Sequence, residues 1–156
     1  MSAIEAKLAE LGVTLPDTGA APKAKGNYQP HVVVGDIVYV SGQISQNDSG
    51  LVQGVLGADM DTAAGADAAK LCAIALLTQV KIACGGDLDR LVRVVKLTGF
   101  VNSTADFKEQ PSVINGASDF LVAALGDAGR HARSAVSAAS LPLGVAVEIE
   151  GIFQIK

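Results

Sequence analysis

His131–Glu150, with the sequence HARSAVSAASLPLGVAVEIE, is the segment around which the rest of this chain is organised. From Val145 to Glu150 apolar and polar residues alternate, which is the period of a strand with one buried face. The first half of the stretch carries a single cation, Arg133, among small residues. Pro142–Gly144 separates the two halves and predicts a tight turn. The stretch therefore predicts two strands joined as a hairpin.

Arg133 has two interpretations at this point. An arginine surrounded by small residues leaves space around a planar fork of donors, which is a suitable way to hold a carboxylate. The same arginine could instead form a structural salt bridge with Glu148 or Glu150, since ion-pair networks imitate functional sites. Residue types alone leave both interpretations open.

Local signals upstream predict a hairpin, two helices, a strand and a loop. Two Val-rich runs in His31–Ile44 flank Gly35-Asp36, which predicts a hairpin with a type II′ turn. Apolar residues at helical spacing predict one helix over Thr62–Cys84 and another that opens at Pro111. Leu91–Val101 is predicted to be a strand, and Asn47–Gly57 a loop.

The N-terminal region is predicted to be an extension of the same domain, which spans residues 1–156. Ser2 and Glu5 have capping-box spacing, and the helix they begin is expected to end near Leu11. Val13–Gly26 contains two prolines and two glycines, Pro22 among them, which predicts a surface connector. Residues 1–25 are too few to fold alone, so no domain boundary is expected.

The predicted order of elements indicates an α+β domain, in which one sheet carries two helices on one face. The other face of the sheet would be apolar and open, which implies assembly with further copies. The net charge of −4 and the absence of a basic cluster argue against nucleic-acid binding. Cys72 and Cys84 are expected to be buried hydrophobes. No apolar run approaches 18 residues and no signal sequence is evident, so a cytoplasmic protein without a membrane segment is expected.

Polar side chains at the predicted strand ends form the candidate site: Tyr28, Ser41, Arg133 and Glu148. Such a set could hold a small carboxylate and a water molecule. Spacing alone does not show that the four converge. The two histidines, His31 and His131, are not spaced as metal ligands on one helix face, and both are expected at the surface or at an interface.

The combination of motifs resembles the Rid family of reactive intermediate deaminases, also called YjgF-like or L-PSP proteins. The matching pieces run from about Gly26 to Ile155 and comprise G-N-Y28, V-S41-G-Q, F100-V, A-R133-S, L-P142 and V-E148-I-E-G-I. Tyr28 and Ser41 are 13 positions apart and Arg133 and Glu148 are 15 apart, as in the family pattern.

The resemblance implies a chorismate-mutase-like α+β fold and a homotrimer with clefts between subunits. It implies hydrolysis of 2-imino acids to 2-keto acids and ammonia, without a metal or organic cofactor. In this family's pattern Arg133 would bind the substrate carboxylate and Glu148 would orient the attacking water. Tyr28 and Ser41 would line the pocket, together with Asn115 in the first turn of the second long helix.

Two departures from the family pattern bear on this expectation. Ala135 stands where family members carry a cysteine, and residues 1–25 extend beyond the short members. A carboxylate clamp with a water does not need a thiol. The alternatives are a trimer that binds a small carboxylate without catalysis, and an endoribonuclease, a function assigned to some relatives.

Overall fold

A computed structural model of the chain describes residues 1–21 and 23–156, so Pro22 of the predicted connector lies outside the described residues. The fold is a mixed five-stranded sheet with its helices on one face. The helices are α1 (Ala3–Glu10), α2 (Thr62–Ala83) and α3 (Gln110–Leu125). The strands are β1 (His31–Val34), β2 (Ile37–Ile44), β3 (Gln46–Asn47), β4 (Gly50–Leu51), β5 (Leu91–Asn102), β6 (Ala132–Ala138) and β7 (Val147–Ile155). The predicted α+β class is confirmed.

The large sheet has the order β1-β2-β7-β5-β6, and this order corrects the predicted hairpin in His131–Glu150. β6 and β7 are not paired, because β5 lies between them. β5 pairs in parallel with β6 and antiparallel with β7. The turn at Pro142–Gly144 is present as a short 3-10 helix, but it connects strands that are two positions apart in the sheet. Turn chemistry is local, whereas strand pairing depends on contacts across the whole chain.

The hairpin of β1 and β2 is confirmed, with Val34 opposite Ile37. Gly35 has φ +61°, and Asp36 has a negative φ, as the predicted type II′ turn requires. The predicted loop over Asn47–Gly57 differs in part, because its first residues pair in the small sheet of β3 and β4. This sheet has only two residues in each strand, which is too short to show a periodic sequence pattern.

Capping groups fix α1 at its N-terminus, where the predicted capping box between Ser2 and Glu5 is present. Asp89 adds a second cap, because its carboxylate accepts hydrogen bonds from the backbone N–H groups of Ala3 and Ile4 at 2.8 and 3.0 Å. The only fully buried side chain of the helix belongs to Leu8. These contacts hold the N-terminal extension on the domain.

Burial alternates along β7 and separates the two faces of the sheet. Val147, Ile149 and Phe153 are fully buried beneath the helices, while the residues between them face the other side. On that open face the side chains of Tyr39 and Val136 are 49% and 46% exposed. The open apolar face predicted from the order of elements is therefore present in the single chain.

The helix α2 is long and apolar enough, by length and composition, to cross a membrane. Ten of its residues are buried, and α3 and the sheet cover them. Core packing therefore accounts for its apolar character. Cys72 and Cys84, one in α2 and one at its C-terminus, are both buried, as predicted.

Candidate active site

Arg133 lies on the edge strand β6 and points to the face of the sheet that carries α3. Its Nη1 donates to Asn115 Oδ1 at 2.8 Å and to Ser118 Oγ at 3.0 Å, and its Nη2 donates to the Pro111 carbonyl at 3.3 Å. Asn115 and Ser118 are three residues apart and so share one face of α3. The helix therefore presents three acceptors in a row to one guanidinium group.

No carboxylate pairs with Arg133 in the part of the chain that the structure describes. This contradicts the interpretation of Arg133 as a structural salt bridge with Glu148 or Glu150. Three of its five N–H donors are engaged by the acceptors on α3, which leaves two donors for a ligand. Two donors of one guanidinium are what a carboxylate accepts in a bidentate pair.

Glu148 lies on the opposite face of the sheet from Arg133. Glu148 is opposite Phe100 of β5, whereas Arg133 is opposite Leu97, three residues earlier on the same strand. Standard strand spacing and rise place the two Cα atoms about 14 Å apart. The sheet itself lies between the two side chains, so one copy of the chain cannot bring them to the same small ligand.

The carboxylate of Glu148 is half-buried beside an irregularity in β2, where the register shifts between Val40 and Gln43. Gly42 lies in this bulge, and a Cβ at this position would collide with Glu148 Oε1. A glycine is therefore required for the carboxylate to reach its place. Burial raises the pKa of Glu148, and the negative charge of Glu150 raises it further.

The cleft at Glu148 has a volume of about 640 Å³ and lies between β2, α2 and the connector before β1. Tyr28 also lines this cleft, and its side chain is 52% exposed. Several apolar residues of α2 form one wall, including Leu71 and Ile74. The cleft is large enough for a small organic acid and its water.

Ser41 precedes Gly42 in the same bulge, and its hydroxyl donates to the Gln29 carbonyl at 2.7 Å. It lines a second, smaller cleft of about 320 Å³ on the open face of the sheet, together with Lys96 and Glu150. Ser41 and Tyr28 are joined through the segment 28–30, because the Ser41 amide also bonds the Pro30 carbonyl. Ser41, Tyr28 and Glu148 thus form one group around the bulge of β2.

The predicted site residues consequently fall into two half-sites. The cation half-site consists of Arg133 and Asn115, with Ser118, which sequence reasoning did not select. The carboxylate half-site consists of Glu148, Tyr28 and Ser41. The first can bind an anion, and the second can accept a proton and place a water. Within residues 1–21 and 23–156 no group of three His, Cys, Asp or Glu side chains is arranged to hold a metal ion.

Two neighbours of Arg133 complete the surroundings of the cation half-site. Arg130, which is close in sequence, has a 69% exposed side chain and pairs with Asp127 at 3.3 Å on the surface. Ala135 lies two residues after Arg133 on the same face of β6 and packs against the core. The spacing of Asn115 and Ser118 on one helix face was the signal that could have added Ser118 to the predicted site.

A family model described as "YjgF/chorismate_mutase-like, putative endoribonuclease" matches residues 5–150 of the chain. The chain belongs to the YjgF family. The resemblance read from the sequence motifs is thereby confirmed, and so is the chorismate-mutase-like fold.

Relatives in the YjgF family include Protein TCP17 of Trypanosoma cruzi, which is 45% identical over 98% of this chain and 94% of its own length. Atu1372 from Agrobacterium tumefaciens, a protein of unknown function with a crystal structure, is 47% identical in sequence to this chain. It superimposes with a TM-score of 0.89 over 98% of this chain and 92% of that one. E. coli TdcF, solved with bound serine, is 27% identical, with a TM-score of 0.63 over 92% of this chain and all of TdcF.

Proposed function

We propose that this YjgF protein is a deaminase that hydrolyses 2-imino acids, or their enamine tautomers, to 2-keto acids and ammonia. The observation that carries the proposal is Arg133, which has no carboxylate partner among the residues that the structure describes and retains two free donors beside Asn115. A 2-imino acid has the matching features, a carboxylate directly attached to an electrophilic carbon. Bound serine in the relative TdcF is a molecule of the same size and also has a carboxylate beside a carbon–nitrogen bond.

The chemistry requires positioning more than strong acid–base power, because imines already hydrolyse in water. Arg133 would fix the carboxylate of the substrate. Glu148 would accept a proton from a water as its oxygen bonds to the imine carbon. That proton would pass to the nitrogen to give a carbinolamine. Glu148 would then take the hydroxyl proton of this intermediate and return it to the nitrogen, as the carbon–oxygen double bond forms, the carbon–nitrogen bond breaks and ammonia leaves. The raised pKa of Glu148 suits this role, because a carboxyl whose pKa lies nearer neutrality both accepts and returns a proton.

The two half-sites lie on opposite faces of the sheet, so the proposal includes assembly. We propose a homotrimer in which the cation half-site of one subunit meets the carboxylate half-site of its neighbour. The exposed apolar side chains of the open face, Tyr39 and Val136 among them, are the surface that such assembly would bury. An interface of this kind would also remove water from the cleft and strengthen the charge interactions there.

The test is ammonia release from a 2-imino acid generated in situ by an amino-acid oxidase, with wild type beside the variant Arg133→Ala. Loss of the carboxylate anchor should cost about 2–5 kcal/mol, roughly a 30- to 5,000-fold loss in kcat/KM. Arg133→Lys should recover only part of this loss, because an ammonium cannot form the bidentate pair. Arg130→Ala is the matched control, since it removes a nearby surface arginine and should leave the rate unchanged.

The same experiment separates the competing functions. Equal acceleration by wild type and Arg133→Ala would show that the site assignment is wrong. Tight binding of a 2-keto acid by a folded protein, with no turnover of any imino acid, would identify a non-catalytic carboxylate-binding protein. Cleavage of RNA by nuclease-free protein, abolished in Arg133→Ala, would identify an endoribonuclease, although the net charge of −4 disfavours this outcome.

A further inference from the structure

A chain of hydrogen bonds runs from Arg133 away from the place where a ligand would bind. Arg133 Nη1 lies 3.0 Å from Ser118 Oγ, and Ser118 Oγ lies 2.9 Å from His131 Nε2. His131 Nδ1 lies 2.6 Å from the carbonyl oxygen of Gly129. His131 itself is two residues before Arg133 and is only partly exposed.

The direction of each hydrogen bond in this chain follows from the groups at its two ends. A carbonyl oxygen can only accept, so the proton of His131 must sit on Nδ1. A neutral imidazole then has an unprotonated Nε2, which accepts the hydroxyl proton of Ser118. The oxygen of Ser118 is left to accept from Arg133. The neutral Nδ1–H tautomer is thus the one state of His131 in which every group of the chain has a partner.

Both hydrogen-bond partners of His131 are held on the same helix. Ser118 belongs to α3, and the backbone of Gly129 packs so closely on α3 that a Cβ at this position would collide with the Leu121 carbonyl. The histidine is therefore clamped between two points that cannot move independently. Arg133, by contrast, lies on an edge strand and has a long side chain with large rotamer freedom.

The surroundings of His131 favour its neutral form. Burial lowers the pKa of His131, and the positive charge of Arg133 lowers it further, which outweighs the opposite effect of the hydrogen bond to Gly129. Other charged groups on the neighbouring elements include Arg93, whose Nη2 donates to the Arg130 carbonyl, Asp119 of α3, and Arg130, which pairs with Asp127.

We propose that His131 and Ser118 are positioning residues for Arg133. His131 orients the Ser118 hydroxyl, and the Ser118 oxygen then holds the guanidinium of Arg133 against α3. The proposal rests on the deaminase function for its catalytic consequence. With the chain intact, Arg133 would present its remaining donors to the substrate carboxylate in one orientation. Without it, only Asn115 and the Pro111 carbonyl would restrain the guanidinium, and substrate binding would weaken.

The first test needs no substrate. Long-range ¹H–¹⁵N spectra of the imidazole in the ligand-free protein should show neutral His131 as the Nδ1–H tautomer in wild type. The Ser118→Ala variant should lose the slowly exchanging Nη protons of Arg133, which are assigned by their absence in Arg133→Lys. An Nε2–H tautomer, or unchanged Nη signals in Ser118→Ala, would overturn the proposal whether or not the protein is a deaminase.

The second test is kinetic and uses His131→Ala, Ser118→Ala, the double variant and His131→Gln. Each alanine variant should raise KM for a 2-imino acid about tenfold, the effect of one hydrogen bond to a charged group, with little change in kcat. The double variant should be no worse than either single one, since all three break the same chain. His131→Gln, which retains an acceptor, should recover most of the lost affinity.

Two kinetic outcomes would contradict the proposal. Multiplicative effects in the double variant would mean that His131 and Ser118 act independently. A fall in kcat with unchanged KM would mean that neither residue works through the carboxylate anchor. If wild type hydrolyses no imino acid, the deaminase function fails, and the tautomer and Nη signals alone decide whether the positioning chain exists.

Discussion

Glu148 combines a functional position with an electrostatic cost. Its carboxylate is half-buried on the open face of β7, and burial together with the charge of Glu150 raises its pKa above the ordinary value of 4.5. A carboxyl whose pKa is higher in the folded than in the unfolded state binds its proton more tightly when folded. The folded state therefore loses stability as pH rises from about 4.5 through the raised pKa.

Replacing this carboxyl by an amide should stabilise the protein at neutral pH and inactivate it. We expect Glu148→Gln to have a higher free energy of unfolding than wild type at pH 7.5, because the amide cannot ionise. Below about pH 4.5 the two proteins should be equally stable. Urea unfolding at both pH values, at one protein concentration, measures the difference.

The exposed pair of Glu10 and Lys7 supplies a control for that measurement, because Glu10→Gln should change the stability by less than about 0.5 kcal/mol at either pH. A Glu148→Gln protein that is less stable than wild type at pH 7.5 would show that the ionised carboxylate is instead held by favourable contacts. Such trade-offs between stability and activity are common where a site needs a charge in a desolvated place.

Helix contact between α2 and α3 is the element-scale feature that positions Asn115 and Ser118 opposite β6. Gly116 lies on α3 between these two residues, and a Cβ there would collide with the backbone carbonyl of Ala66 on α2. The neighbouring backbone cannot move aside as a flexible side chain would. The close approach of the two helices therefore depends on this glycine.

Gly116→Ala tests the close approach by setting two effects against each other. Helix propensity alone would stabilise the variant by about 1 kcal/mol. We expect a net destabilisation of about 1–3 kcal/mol instead, because the methyl group must push the helices apart. Unfolding by denaturant shows whether the free energy of unfolding rises or falls in the variant. Asp119→Ala, an exposed substitution on the same helix, should change stability by less than about 0.5 kcal/mol, and a stabilised Gly116→Ala would disprove the close approach.

Elements with local signals were predictable from the sequence. The capping box of α1, the Gly35 turn and the periodic apolar residues of α2 each act within a few residues, and all three are present. The pairing of β6 with β5 was not predictable from such signals, because the partner strand lies about 30 residues upstream. The pairing of β6 determines on which face of the sheet Arg133 lies. The separation of Arg133 from Glu148 was therefore not predictable from the sequence either.

At the scale of the site, the sequence singled out four polar residues near predicted strand ends, but it did not show how the fold groups them. Tyr28, Ser41 and Glu148 gather around the bulge of β2, whereas Arg133 turns towards α3. A bulge changes the direction of side chains without leaving a clear periodic trace in sequence. Helical spacing from Asn115 could have pointed to Ser118, whereas the hydrogen bond between His131 and Ser118 is visible only once α3 is placed beside β6.

For the whole molecule, the two half-sites predict complementation between inactive variants. In the proposed trimer each complete site would take Arg133 from one subunit and Glu148 from its neighbour. In a mixed assembly of Arg133→Ala and Glu148→Gln subunits, some sites are then intact. Such a site has its Arg133 from a Glu148→Gln subunit and its Glu148 from an Arg133→Ala subunit. Random mixing of equal amounts should restore about a quarter of wild-type activity, and purified trimers that contain both variants should have about a third, because one of their three sites is intact.

Co-expression of the two variants with different tags, followed by tandem purification and the ammonia assay, measures this recovery. Assemblies of Arg133→Ala with the double variant Arg133→Ala/Glu148→Gln should remain inactive and serve as the control. A mixed assembly verified by native mass spectrometry that shows no activity would disprove a site shared between subunits. Full wild-type activity from a monomer in solution would disprove it as well.

The position of β7 has a consequence for how the chain reaches this structure during synthesis. β7 is the last strand of the sheet to leave the ribosome, yet it lies in the middle, between β2 and β5. Until β7 emerges, β2 and β5 each have one edge without a hydrogen-bonded partner strand, and the two halves of the sheet are not joined. The domain therefore completes its sheet with the central strand, and until then the free edges of β2 and β5 are open to edge-to-edge pairing with other chains.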